Sequence, residues 1–189
     1  MDIHDLFKLV GGLMALGLFV PMILEIVRTR GVGQSVATWG LWAVLDSMLT
    51  ITLYQQHGNY LLSLGFAVGG LFLAAVLLAQ GGWAWGKFET IIALMVLASV
   101  AVWKFSGPRS ATIAVTTAIC VAGLPEFVAL LRRPQPSMGR LWLGYTVANT
   151  LAFFGGTAMT VEERFPPAAF AALSALMLAA CWRPKKVLR

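Results

Sequence analysis

Long apolar runs, following one another with few charges between them, constrain this chain more than any motif. Seven stretches, 6–27, 35–54, 60–80, 88–103, 111–131, 138–159 and 166–182, come close to or reach the length of a spanning helix. Such a helix needs about 20 predominantly apolar residues to cross a hydrocarbon core of about 30 Å. Hydrocarbon offers no water to backbone N–H and C=O groups, so runs of this length are expected as helices that satisfy those groups internally. Between the runs lie polar, Gly-rich or Pro-containing breaks at 29–33, 56–59, 81–86, 106–110, 133–137 and 161–166. Charged residues are only 12% of the 189, about half the share of a soluble domain, which excludes a water-solvated fold. Trp83, Trp85, Trp103 and Trp182 fall near segment ends, where an amphipathic ring is stable at headgroup level.

Charge placement predicts orientation. Counted by alternate loops, Lys8, Lys104, Arg109 and Arg164 fall on one side and the ten other Lys and Arg residues on the opposite side. The positive-inside rule then puts the N-terminus outside or lumenal and the C-terminus in the cytosol, which requires an odd number of spans. The net charge of +6 is read as orientation and phospholipid contact. No basic stripe suited to nucleic acid is visible. Cys120 and Cys181 lie inside apolar runs and read as small buried residues.

The chain also repeats itself. Pro21 to Arg28 aligns with Pro125 to Arg132 at an offset of 104, and Trp39, Trp42 and Asp46 align with Trp142, Tyr145 and Asn149 at an offset of 103. The fourth segment has no counterpart. The expected architecture is an all-α integral membrane protein with seven transmembrane helices in a 3+1+3 arrangement. Residues 1–82 form the first three-helix repeat, 83–107 the linking helix, and 108–189 the second repeat with a basic cytosolic tail. Parallel repeats of this kind recur in transporters, with the binding site near the midplane between them.

Asp46 is the costliest residue in the sequence. About ten residues into its helix, it sits near mid-bilayer, where a carboxylate costs about 2.5–3.5 kcal/mol on insertion scales. Ser35, Trp39, Trp42, Asp46 and Thr50 share one helix face, and Met138, Trp142, Tyr145 and Asn149 repeat the 4, 3, 4 spacing. Two such faces meeting would wall a cavity with aromatic rings and place a carboxylate and an amide at its centre. Asp46, Asn149, Trp39, Trp42, Trp142 and Tyr145 are therefore the expected substrate-binding residues. Burial far from any Lys or Arg favours a protonated Asp46 for part of a transport cycle. The plainer reading of both polar residues is hydrogen bonding between helices. Pro21 and Pro125 are expected kinks and candidate hinges. Glu126, deeper than the basic loops, is a candidate gate. Glu25 and Arg28 suit a helical i, i+3 pair.

Nothing points to catalysis. No Ser-His-Asp, zinc-ligand or phosphate-loop pattern occurs, and the last helix has no lysine for a retinal Schiff base. No enzyme activity, metal or cofactor is expected.

A proline late in the first helix, a short basic loop, then a serine, aromatics and a small polar residue resembles the PQ-loop repeat. The matching stretches are Val20-Pro21-Met22 through Ser35 to Asp46, and Leu124-Pro125-Glu126 through Ser137 to Asn149. That repeat is shared by the SWEET and SemiSWEET sugar carriers, by lysosomal amino-acid exporters and, more distantly, by the KDEL receptors. Here Met22 and Glu126 replace the motif's glutamine, and 64–70 and 168–174 lack the asparagine that sugar carriers hold in each third helix. The resemblance implies a carrier that moves a small polar or cationic metabolite, amino acid-like or sugar, by alternating access, with proton coupling through a titratable residue such as Asp46. A receptor of the same fold, or a non-transporting subunit of a membrane complex, is the alternative. The implied partners are a small solute, the lipid bilayer and a proton. The sequence leaves oligomeric state open.

Overall fold

The computed structural model describes residues 1–29 and 35–183; Arg30 and the tail cations Lys185, Lys186 and Arg189 lie outside them. All regular structure among the described residues is helical. In chain order it comprises α1 (Ile3–Gly17), α2 (Phe19–Thr29), α3 (Val36–Gln55), α4 (Leu61–Ala79), α5 (Lys87–Arg132), a 3-10 turn (Pro136–Met138), α6 (Gly139–Gly155) and α7 (Val161–Cys181). α1 and α2 form one stretch, Ile3–Arg28, interrupted at Leu18. Pro21 accounts for the break: it has no N–H for the carbonyl of Gly17, four residues back, and α1 ends at Gly17. Pro125 leaves α5 uninterrupted, so the two expected kinks are not equivalent.

Five stretches are long and apolar enough to cross a membrane: Ile3–Arg28, Val36–Gln55, Leu61–Ala79, Lys87–Arg132 and Val161–Cys181. Large apolar side chains such as Leu13, Phe72, Leu94, Leu97 and Phe105 are more than half exposed on their outer faces. An apolar surface of that extent needs lipid rather than water around it. The protein is a multi-pass membrane protein.

The count of five, where seven segments are expected, has two physical causes. α5 runs for 46 residues, about 69 Å if straight and more than twice the hydrocarbon thickness. Its first part follows α3 from Thr38, whose hydroxyl donates to Glu89 Oε1 at 2.7 Å, to Gln55, which accepts from Trp103 Nε1 at 3.2 Å. Thr112 then lies back at the same end of α3, accepting from Gln56 Nε2 at 2.8 Å and donating to Thr52 at 3.1 Å. The chain therefore reverses between 103 and 112. Gly107 makes the reversal, with φ 79° and ψ 177°, a conformation open to glycine and strained for other residues. Pro108 follows at the first helical position, where a missing N–H costs nothing. The expected loop at 106–110 thus contracts to one residue.

The second cause is α6, which stops at Gly155 and is 17 residues long, about 26 Å. α7 in turn begins at Val161 instead of Pro166, so Glu162 and Glu163 belong to its first turn. Pro166 cannot donate to the Glu162 carbonyl, and the Asn59 backbone N–H supplies that bond at 3.0 Å.

The helices form two sets with the same internal packing. α4 packs on both α1 and α3, and α7 packs on both α5 and α6. Between the sets, α1 meets α6 and α3 meets α5. Close approaches mark the first of these seams: a Cβ at Gly11 would lie 2.9 Å from the Ala148 carbonyl oxygen. One pair of contacts is exchanged in size between the sets. Phe19 of α2 packs against Gly69 of α4, where a Cβ would clash with its ring. At an offset of 104 the partners are Gly123 of α5 and Leu173 of α7, also in contact, with the large and small members swapped. Gly69→Leu should therefore destabilise by at least about 1–3 kcal/mol through overpacking. The double change Phe19→Gly with Gly69→Leu should recover part of that loss, read as thermal unfolding in detergent.

Candidate functional site

The polar faces foreseen on α3 and α6 converge at the seam between the two sets. Asp46 and Tyr145 are each 6% exposed and Asn149 is 2% exposed, while Trp39, Trp42 and Trp142 are half-buried. Tyr145 links the cluster. Its ring lies 5.8 Å from Trp142, 5.6 Å from Phe66 and 6.3 Å from Phe19, and the Asp46 carboxyl is within electrostatic reach of its phenol. Phe19 stands edge-on to Trp39 at 6.1 Å, and Trp39 lies 5.8 Å from Trp42. Phe66 of α4 meets Phe170 of α7 edge to face at 6.1 Å. Such edge contacts are favoured by the ring quadrupoles. Sequence reading missed Phe19, Phe66 and Phe170, which look like ordinary apolar residues in apolar helices. Only the offset of 104 between Phe66 and Phe170, equal to the repeat offset, carried a signal.

The two central polar residues differ in their surroundings. Asn149 Nδ2 lies 3.4 Å from Ser174 Oγ, and Thr146 Oγ1 lies 3.2 Å from the same oxygen. The position equivalent to Ser174 in the first set is Gly70, which packs against Ala43, the counterpart of Thr146. A van der Waals contact thus replaces a hydroxyl pair, and the Asp46 side chain has no serine beside it. Asp46 Oδ1, Asn149 Oδ1, Trp42 Nε1 and Trp142 Nε1 are all buried without a hydrogen-bond partner. Thr50 donates to the Asp46 backbone carbonyl at 2.8 Å and lies 3.1 Å from Ser63, so its hydroxyl is engaged elsewhere. Unpartnered buried polar atoms are costly and concentrate where a structure has a use for them.

Away from the centre the two ends of the bundle contrast. At the end holding the N-terminus, polar contacts tie the sets together. Lys8 Nζ lies 3.0 Å from Glu163 Oε2, an ion pair with side chains 16% and 9% exposed. Asn59 Nδ2 donates to the Ala152 carbonyl at 2.7 Å, and His4 Nδ1 lies 3.1 Å from the Phe154 carbonyl. At the other end each set keeps its own apolar cluster: Phe19, Ile26, Val36, Leu73 and Leu77 in one, Leu130, Met177, Ala180 and Cys181 in the other. The Lys8–Glu163 pair was missed because Glu163 reads as loop when α7 is started at Pro166.

The expected hinge and gate residues lie outside the central cluster. Pro21 is exposed beside the α1–α2 break, and Pro125 and Glu126 are exposed on α5, with Glu126 within electrostatic reach of Cys181 toward the second end. Glu25 and Arg28 are exposed at the end of α2. Two clefts, of about 430 and 190 Å³, lie between α5 and α7 and between α1 and α4, and neither is lined by Asp46 or Asn149. Among the described residues no cluster of His, Cys, Asp and Glu is suited to a metal ion. Comparison with protein-family models, curated proteins and solved structures gives no match.

Two stability effects follow from this geometry. Glu163→Gln leaves the Lys8 charge partly buried and unpaired and should cost about 1–3 kcal/mol, below the range for a fully buried pair. The apolar double change Lys8→Met with Glu163→Leu should restore most of it. Ser174→Ala removes the shared partner of Asn149 and Thr146 and should cost about 1–3 kcal/mol in the same unfolding assay.

Proposed function

We propose that this protein is a membrane carrier of the PQ-loop type, moving a small polar or cationic metabolite by alternating access. The observation that carries this reading is the buried pair Asp46 and Asn149, each with a side-chain oxygen that has no hydrogen-bond partner, beside a cluster of aromatic side chains at the seam between two similarly packed helix sets. A carboxylate at mid-bilayer is an expensive way to join helices, and intramembrane ionisable groups mark solute and proton pathways. Counting α5 as two antiparallel helices, 87–106 and 108–132, and adding α6 gives seven spans in the 3+1+3 arrangement, with Asp46 and Asn149 at matching positions. The charge asymmetry of the loops favours an N-terminus outside or lumenal and a cytosolic C-terminus.

The contrast between the two ends supports alternation. Polar contacts between the sets at the N-terminal end describe a closed side, and separate apolar clusters at the opposite end describe the side on which the sets part. On this reading the Lys8–Glu163 pair breaks when the carrier faces outward. Asp46 couples movement to protons by taking one up when no solute neutralises it. Tyr145 is a titratable side chain within electrostatic reach of that carboxyl.

Reconstitution into liposomes tests the proposal. Wild-type protein should exchange labelled solute across the bilayer and accumulate it under an imposed pH gradient. Asp46→Asn, which installs the amide already present at Asn149, should abolish the response of any remaining exchange to the gradient. A receptor of this fold would bind solute without flux.

A further inference from the structure

The central site differs in kind from one built for a sugar, an anion or a zwitterion. We propose that it takes a compact alkylammonium ion, with Asp46 as its counter-charge and the Trp39, Trp42, Trp142 and Tyr145 rings around its alkyl part. This rests on the carrier reading for the location of the site, and it adds the chemical class of the ligand.

Three observations support the choice. First, a buried carboxylate with no basic side chain beside it needs a positive charge from elsewhere. Lys8 is committed to Glu163, and the other described cations, among them Arg28, Lys87, Lys104, Arg132 and Arg140, lie toward the helix ends. An ammonium group supplies that charge and donates N–H to Asp46 Oδ1 and Asn149 Oδ1, both buried without a partner. Second, the walls are aromatic: Trp42, Trp39, Phe19 and Tyr145 follow one another, and Trp142 and Phe66 both meet Tyr145, at centroid distances of 5.6 to 6.3 Å. Cations are attracted to ring faces, most strongly to tryptophan, and the attraction grows when both partners leave water.

Third, the remaining polar groups exclude the competitors. The Ser47 hydroxyl donates to the Ala43 carbonyl at 2.7 Å, Thr50 donates within α3, and Thr146 and Ser174 donate to the Trp142 and Phe170 carbonyls of their own helices. The Trp42 and Trp142 indole N–H groups and the Tyr145 hydroxyl are donors of this cluster, and none carries a charge to offset Asp46 beside a neutral sugar or to meet the carboxylate of an amino acid. An anion would meet Asp46 with no cation to offset it.

Binding to purified protein in detergent, followed by calorimetry, tests this with three ligands sharing one branched alkyl group: 3-methylbutylammonium, leucine and 3-methylbutan-1-ol. The ammonium should bind at least about tenfold more tightly than the zwitterion and the alcohol, about 1.4 kcal/mol. Asp46→Asn should reduce the preference for the ammonium to less than about threefold. Equal affinity for all three, tighter binding of leucine, or no ammonium binding up to about 10 mM overturns the proposal. The wild-type comparison decides even if Asp46→Asn does not fold. Binding is read without flux, so the two readings fail separately: a carrier that moves only neutral solutes sinks this inference alone, and an ammonium that binds but never crosses sinks the carrier reading alone.

Discussion

Hydrocarbon cannot hydrogen-bond, and the rest of this structure depends on how the chain meets that fact. Wherever a helix is interrupted, the freed carbonyl must find a donor inside the protein. At the N-terminal end those donors come from the other helix set. Pro166 cannot serve the Glu162 carbonyl, and the Asn59 N–H does. α6 ends at Gly155, and the Asn59 side chain and His4 meet the carbonyls of Ala152 and Phe154. The breaks that shorten α6 and place prolines inside α7 are therefore also what fastens the two sets together. Lys8 and Glu163 add an ion pair to a joint already made by backbone groups.

The two sets pack alike but are not copies. Phe19 against Gly69 becomes Gly123 against Leu173, so the same space is filled from opposite helices. Gly70 against Ala43 becomes Ser174 bonded to Thr146. The first exchange sends an aromatic ring toward the centre from α2 alone. The second gives Asn149 a partner and withholds one from Asp46. Small divergences at equivalent positions thus make a centre that carries a carboxyl without a serine beside it on the α3 side and an amide anchored through its Nδ2 on the α6 side. Close packing explains why: a core near crystal density accepts a volume only where its neighbour gives one up.

Turn chemistry was harder to read than the helices. A five-residue break was expected at 106–110, yet Gly107 alone reverses the chain, because one positive φ followed by a pre-set proline φ suffices. A break was also expected up to Pro166, yet the helix begins earlier, because Asn59 satisfies the carbonyl that proline strands. In both cases local composition signalled an interruption, and its extent depended on a conformation or a partner far along the chain.

The membrane class, most helix positions and the polar faces bearing Trp39, Trp42, Asp46, Trp142, Tyr145 and Asn149 followed from the sequence alone. Hydropathy and the 3.6-residue period are local properties, written within each segment. What only the tertiary structure decided lies between segments. Lys8 meets Glu163 across 155 residues, Phe66 meets Phe170, and Asp46 is left alone because a glycine stands where the other set has a serine. No periodicity encodes such meetings. They arise from which helices pack together and at what height, and that is set by the fit of whole surfaces.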